Sequence, residues 1–565
     1  MTGFVVSRFG YREKRLIKKI VNKRKIKRYS IYSLNRDDIK KGVEYLNINK
    51  EFFRIQDLAL NLLDQRKREA KKIAEALSII MDLDLGMFVK RLLLNRIFYK
   101  EAQFLMGEEI LLKQEKIEDV IILNKYRSIL ANKNNVFNYW NNSDTILFLD
   151  KILRYVVRLL ILSLVGLINL KKDIGPIKSK KYDIIAIQST PLGYHLIEKT
   201  LGLLKDKYSI AIASGFSCNK KLIPFEVQEN IDGVRICPEA SFIDILKVFK
   251  FFHLLKLNVY KWEIISLFGS MLLRKIVCEY VAKRLKPKVI LVKNEYDLFE
   301  NIEYKVFDEY GIKYIDYMHG ERLYYVRDSF LEYHKMAVWG KHYKRLFEEK
   351  LRVKKEMIEV IGNQLFDEIP SYRIENKNSL GLRNKYNKII SVFTQSTYGF
   401  CGADSQSLMI QKVVDFIKQN KGIYMILKHH HLEFKYSVPP YNLLIKSIKD
   451  RVLECTNEIK LYDILSVSDL IVTASSTVGL EGILFKKPVL YMNFGDTPCL
   501  LEHPKLNAAV EINNPENSES YLNKMLLDKN FVNNLCYERV IEDWASGLDG
   551  NSHIRFEKLI ENQIS

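Results

Sequence analysis

The stretch from Asp469 to Pro488 reads DLIVTASSTVGLEGILFKKP. An apolar, β-branched run, Leu470–Thr473, stops at Ala474, Ser475, Ser476 and Thr477, and a helical pattern then begins with Gly479 and Glu481 in its first turns. Strand, hydroxyl-rich turn and helix in that order are the unit of a parallel sheet covered by helices. Hydroxyls and free backbone N–H groups at a helix start form an anion site. Ser476 or Thr477 can cap the helix, which leaves the other hydroxyls for a phosphate. Glu481, one turn in, can accept from ribose hydroxyls. A capped helix that holds no ligand satisfies the same local pattern.

Outward from that stretch the alternation repeats. Residues 385–565 offer strands at Lys388–Phe393, Ile423–Lys428, Leu470–Thr473 and Pro488–Met492, with helical patterns over 405–420, 461–467 and 476–485 between them. Residues 176–375 show the same texture: YDIIAIQ at Tyr182–Gln188, then STPLG, a helical pattern, and YSIAIASG; further strands follow at Lys288–Lys293, Tyr314–Met318 and Met336–Trp339. The expected fold class is α/β, with two Rossmann-like domains facing one cleft and a hinge near Tyr372–Asn384. Neither half carries GxGxxG after its first strand or a Walker A sequence, which argues against a dinucleotide enzyme or a P-loop ATPase.

Residues 1–175 differ. They are basic and mostly helical in pattern, with a short strand candidate, YSIYSL, from Tyr29, and apolar residues at helical spacing from Ile55 to Ile80. Between Arg8 and Arg28 there are eleven Lys or Arg residues against one acid, Glu13. The most apolar run, Leu159 to Leu170, falls short of the roughly 20 residues that span a bilayer. It reads as a buried helix, as an interfacial helix flanked by Arg154, Arg158, Lys171 and Lys172, or, last, as a membrane span. The N-terminus has no signal-peptide pattern.

Composition narrows the classes. The chain has 565 residues, 47% hydrophobic and 28% charged, which excludes a mostly disordered protein. A formal net charge of +21 implies an anionic partner: phosphorylated substrate, anionic lipid or nucleic acid. No aromatic-interleaved basic strand or reader motif accompanies the charge, so specific nucleic-acid binding is not expected. Seven scattered cysteines without a CxxC pair point to a reducing compartment.

Other candidate residues stand at strand ends. Lys428-His429-His430-His431, with Glu433 beyond, closes one strand, and a Lys and a His there can bind a diphosphate without a metal. Adjacent histidines diverge, so a metal site is not expected. Met318-His319-Gly320-Glu321-Arg322 closes another; the imidazole suits removal of a proton from an acceptor hydroxyl, with Glu321 able to do the same or to orient the histidine. Thr394, Gln395 and Ser396 can cradle a phosphate after Lys388–Phe393, and Asn294, Glu295 and Asp297 are acceptor-side candidates after Lys288–Lys293. Each of these positions is equally compatible with an ordinary turn.

In this order the motifs resemble the GT-B glycosyltransferase superfamily. Within it they resemble the bacterial surface-polysaccharide enzymes: the CDP-glycerol glycerophosphotransferases, the bacterial sialyltransferases and the capsule synthesis transferases. The family's HG motif is matched by His319-Gly320 and its VxGNP turn by Val360-Ile361-Gly362-Asn363, with Gln364 in place of proline. KPHP is matched by Lys428-His429-His430-His431, with both prolines replaced by histidine. The Ser/Thr–Glu segment is matched by Ser475-Ser476-Thr477 and Glu481, and the KPV that follows by Lys487-Pro488-Val489. Leu548-Asp549-Gly550 resembles the family's DG tail before a closing helix. The resemblance spans about 180–560.

It implies a metal-independent enzyme without a cofactor. His319 would be the general base and Glu321 its substitute. Lys428, His430, Ser475, Ser476 and Thr477 would hold the donor phosphate, and Glu481 the ribose. A CMP-, CDP-, UDP- or GDP-linked sugar would pass to an oligosaccharide or lipid-linked acceptor in capsule or lipopolysaccharide synthesis, at the inner face of the cell membrane where the basic N-terminus docks. A glycerophosphate polymerase is the alternative, and a sugar-nucleotide 2-epimerase or a nucleic-acid-binding protein are the remaining readings.

Overall fold

The computed structural model describes residues 2–6, 11–34, 41, 43–113, 117, 119–124, 136–138, 181–188, 191–213, 230–234, 261–293, 298–373, 386–395, 403–430, 441–456, 458–495 and 501–565. Leu159–Leu170, most of the expected hinge, Asn294, Glu295, Asp297, Ser396, His431 and Glu433 lie outside them.

Among the described residues, eighteen strands form three sheets. The first holds β1 (Thr2–Val6), β2 (Tyr29–Ser33), β3 (Glu44–Tyr45), β4 (Asp119–Asn124) and β5 (Val136–Asn138), in the order β3-β2-β1-β4-β5. The second holds β6 (Ile184–Ile187), β7 (Ile210–Ala213), β8 (Ile231–Val234), β9 (Val289–Val292), β10 (Lys313–Tyr317), β11 (Lys335–Val338) and β12 (Ile358–Val360), in the order β12-β11-β10-β9-β6-β7-β8. The third holds β13 (Lys388–Phe393), β14 (Ile423–Lys428), β15 (Val452–Cys455), β16 (Leu470–Thr473), β17 (Val489–Met492) and β18 (Val510–Ile512), in the order β15-β14-β13-β16-β17-β18. Every pairing among the described residues is parallel.

The apolar runs explain the strands. IIAI, VILV and LIVT are buried along their whole length, as strands covered by helices on both faces must be. In each sheet the first strand lies centrally and the chain reverses direction between its first and fourth strands. That reversal opens a crevice at the carboxyl ends, between β6 and β9 and between β13 and β16.

The first 138 residues require a correction. Their helices are present, as Tyr11–Arg24, Phe52–Gln65, Lys67–Met81, Gly86–Leu93 and Tyr99–Leu112, but they accompany a parallel sheet that the helical and basic texture concealed. GFVV and DVIILN are short, unbroken apolar runs with no alternation, so periodicity has little to register. The pattern read as one helix from Ile55 to Ile80 is two, interrupted at Arg66, whose backbone is non-helical (φ −111°, ψ 21°).

The three lobes are fastened by polar contacts, some of them buried. Arg91, on helix Gly86–Leu93, pairs with Glu300 of the second lobe at 2.8 Å, both side chains buried, and its Nε donates to the Arg327 carbonyl at 3.0 Å. Gln56 Oε1 accepts from the Val326 amide at 2.9 Å, and Arg352 meets Asp64 through two hydrogen bonds of 2.8 Å. Helix Ser552–Ile564 leaves the third lobe and packs on the second: Ser552 bonds Asp367 at 2.8 and 3.0 Å, and Phe556 stands 5.9 Å from Tyr317. The second and third sheets, with this returning helix, make two parallel α/β lobes.

At Gly340 the second lobe meets helix Tyr537–Ala545 so closely that an added Cβ would lie 2.2 Å from the Asp543 carbonyl oxygen. Backbone cannot yield there as a side chain could. Gly340→Ala is therefore expected to destabilise the protein by about 1–3 kcal/mol. Gly320→Ala, where a Cβ meets nothing within 4 Å, should leave the melting temperature unchanged. Calorimetric melting of the two variants checks the contrast.

Candidate functional site

The third lobe assembles its candidates at the crevice between β13 and β16. Thr394 and Gln395 leave β13, and Ser475 leaves β16 two residues after Thr473. Ser475 Oγ donates to Gln395 Oε1 at 3.1 Å, so a side-chain bridge spans the crevice. Gln395 is itself fixed by Gln406 of helix Ala403–Gln419, which accepts from its amide at 2.6 Å and donates to its carbonyl at 2.9 Å. The loop after β14 joins them: the His430 amide donates to Thr394 Oγ1 at 2.9 Å, and the Thr394 amide donates to the Lys428 carbonyl at 3.1 Å. Thr394, Gln395, Lys428, His430 and Ser475 thus form one knit rim.

The hydroxyls divide as the helix start requires. Ser476 is the cap: its Oγ accepts from the Val478 amide at 3.3 Å. Ser475 belongs to the bridge, and Thr477 is exposed. The helix that follows, Val478–Leu484, is a short one of seven residues. An anion resting here would be held mainly by hydroxyl, amide and imidazole groups.

Lys428 and Glu481 sit in settings unlike the other candidates. Lys428 is half-buried, and its ammonium donates to the carbonyls of Thr456 and, at 3.2 Å, Ile459; burial lowers its pKa from the ordinary lysine value. Its head therefore ties down the loop beyond β15. Glu481 was expected to act as a carboxylate, yet desolvation raises its pKa to about 8. A neutral carboxyl at this place can donate to one hydroxyl of a vicinal diol and accept from the other.

The departures from the family pattern have local causes. His429, in place of a proline, is buried, stacks on Tyr441 with ring centroids 5.7 Å apart, and holds Glu454 at 2.5 Å through Nε2. Gln364, where the VxGNP turn has proline, is buried: its Oε1 accepts from the Thr200 amide at 3.3 Å and its Nε2 donates to the His195 carbonyl at 2.5 Å. Among the described residues no three His, Cys, Asp or Glu side chains gather as a metal set would.

On the second lobe, His319 lies just past the end of β10, half-buried, with open space in front of Gly320. Glu321 turns inward. It is buried, and its Oε1 lies 3.0 Å from Nε2 of His503, which follows β17 in the third lobe. The two base candidates are thus separated: His319 on the open side, Glu321 in the contact between lobes. His503 was not singled out in the sequence. It is a lone histidine before Pro504, and nothing local marks its partner.

No protein-family model matches the sequence, and no curated protein matches it. Solved structures give faint likenesses. A UDP-N-acetylglucosamine 2-epimerase is 15% identical, with a TM-score of 0.45, over 68% of this chain and 96% of that one. A variant of the wall teichoic acid polymerase TagF is 12% identical, with a TM-score of 0.44, over 74% and 98%. A glycosyltransferase from Rickettsia africae is 14% identical, with a TM-score of 0.40, over 67% and 99%. These are likenesses of architecture alone.

The raised pKa of Glu481 carries a sign. The folded state holds the proton up to about 8 and the unfolded state releases it near 4.5, so this group lowers stability as pH rises through that window. Glu481→Gln should match the wild type near pH 4.5 and exceed it above pH 8. The residue is partly exposed, so the gain is of order 1–2 kcal/mol rather than the full linkage value. Melting temperatures of both proteins across this pH range test it.

Proposed function

We propose that the protein is a GT-B glycosyltransferase that takes a sugar from a nucleotide-sugar donor to a growing surface polysaccharide or a lipid-linked acceptor. The observation that carries the reading is the bridged crevice of the third lobe. Ser475, Gln395, Thr394 and His430 converge there from three strand ends, at the place where open parallel sheets bind ligands. Oriented hydroxyls, amides and an imidazole suit a nucleoside phosphate that must be held while it departs. Glu481, neutral near pH 7, suits the ribose diol.

His319 takes the proton of the acceptor hydroxyl. It is half-buried beside open space, whereas Glu321 is shut in against His503. The balance of the step is simple: the acceptor oxygen bonds the anomeric carbon, the bond from that carbon to the donor phosphate breaks, the proton goes to His319 and the nucleotide leaves as an anion. This chemistry calls for no resident cofactor.

The basic N-terminal helix supports a place at an anionic lipid surface. Ile17 and Ile20 of Tyr11–Arg24 are buried while Lys14, Arg15, Lys18, Lys19 and Lys23 are exposed. No helix among the described residues is long and apolar enough to cross a membrane. Capsule or lipopolysaccharide assembly at the inner membrane face is the setting that unites the surface with the site.

CDP-glycerol and CMP-, UDP- and GDP-sugars, screened for thermal stabilisation, decide the donor. One of the sugar nucleotides should stabilise the protein by about 2–3 kcal/mol at a hundredfold excess over Kd. Stabilisation by CDP-glycerol alone would replace the glycosyl reading with glycerophosphate transfer. Ser475→Ala should weaken that binding, and His319→Ala should cut turnover by about 100-fold or more while sparing it. Near-normal turnover in His319→Ala would remove the base assignment.

Sedimentation with phosphatidylglycerol-containing vesicles should retain the protein, and phosphatidylcholine vesicles should not. Exchanging Lys14, Lys18 and Lys19 for Glu should release it, since each cation near such a surface contributes about 1 kcal/mol.

A further inference from the structure

Glu321, His503 and Tyr491 come from three places and meet in the buried contact between the second and third lobes. His503 Nδ1 lies 3.0 Å from the Tyr491 hydroxyl, and its Nε2 lies 3.0 Å from Glu321 Oε1. Tyr491 and His503 have no solvent exposure, and Glu321 has 8%. Where Nδ1 accepts from the phenol, the N–H at Nε2 lies towards Glu321. Trp544 closes the group from the side, its ring 5.7 Å from that of His503.

Each end of this chain touches the candidate site. Tyr491 stands on β17 with its hydroxyl over Gly479, so closely that a Cβ there would lie 2.0 Å from it. Gly479 is in the first turn of the helix that Ser476 caps. Glu321 is two residues from His319 along the loop after β10. The contact is also incomplete. The Nε2 N–H is out of line with the carboxylate, and neither His503 Nε2 nor Glu321 Oε2 has an aligned partner. Buried groups left so are costly.

We propose that His503 is a positioning residue: through Tyr491 and Glu321 it couples the seating of a nucleotide phosphate at Ser475–Thr477 to the placement of the loop that carries His319. This deepens, and rests on, the donor-site reading above. A phosphate drawn onto the capped helix shifts Gly479 and the Tyr491 hydroxyl above it. His503 follows the phenol, and Glu321 follows the imidazole. The acceptor-side base is brought to its working place when the donor is seated.

Amide hydrogen exchange on the full chain tests the coupling, with CMP, CDP, UDP and GDP as probes. In the wild type, one nucleotide should slow exchange at residues 475–481 and, across the lobes, at 320–326. In His503→Leu the first effect should persist while the second falls by about fivefold or more. His503→Gln, which restores an N–H near the position of Nε2, should recover it. Tyr491→Phe, lacking one oxygen, should show the same loss as His503→Leu and serves if that variant does not fold. Undiminished slowing at 320–326 in both His503→Leu and Tyr491→Phe overturns the proposal while leaving the donor site standing. Failure of every nucleotide to slow 475–481 in the wild type overturns the donor site and the coupling together.

Discussion

Parallel strands cannot be joined by tight turns. Each must be followed by a crossover that returns the chain to the starting edge, so every strand-to-helix loop emerges at one edge of its sheet. All described pairings in this protein obey that constraint, and much else follows from it. Thr394, Lys428 and Ser475 are far apart in sequence, yet they become neighbours because β13, β14 and β16 end together. His319 stands at the corresponding edge of the second sheet for the same reason. Short hydroxyl and amide side chains then suffice to close the crevice, as the Ser475–Gln395 bridge does.

The loop after β10 is gripped from two sides. On one side the first lobe holds the Val326 amide through Gln56 and the Arg327 carbonyl through Arg91, whose own charge is balanced by Glu300 in the interior. On the other side His503 of the third lobe faces Glu321. Breaking the Arg91–Glu300 pair from one end would leave a buried charge, a loss of about 3–5 kcal/mol, so the first lobe's hold is strong. The contact at Glu321 is of a different kind, short but unaligned.

Much of the second and third sheets was legible. Lys388–Phe393, Ile423–Lys428 and Leu470–Thr473 appear with the bounds their apolar runs suggested, because strands buried on both faces carry unbroken β-branched sequence. Of the first sheet only Tyr29–Ser33 was legible, as YSIYSL; its other strands are few residues long and the surrounding charge dominates the texture. Strand-end residues such as Ser475 and His319 could be named from their positions alone. What sequence could not supply was direction: that Lys428 turns to the Thr456 and Ile459 carbonyls, that His429 stacks on Tyr441, or that Glu321 faces another lobe. These depend on contacts between segments with no local signature.

The helix Ser552–Ile564 has one more implication. Phe556, Leu559 and Ile560 share an apolar cluster with Ile184, Leu201 and Tyr317, so the second lobe is finished by residues that lie beyond the third in sequence. As the polypeptide emerges from the ribosome, that lobe must wait with an uncovered apolar face while the whole of its successor is synthesised. Truncation before Ser552 would leave that face bare for good.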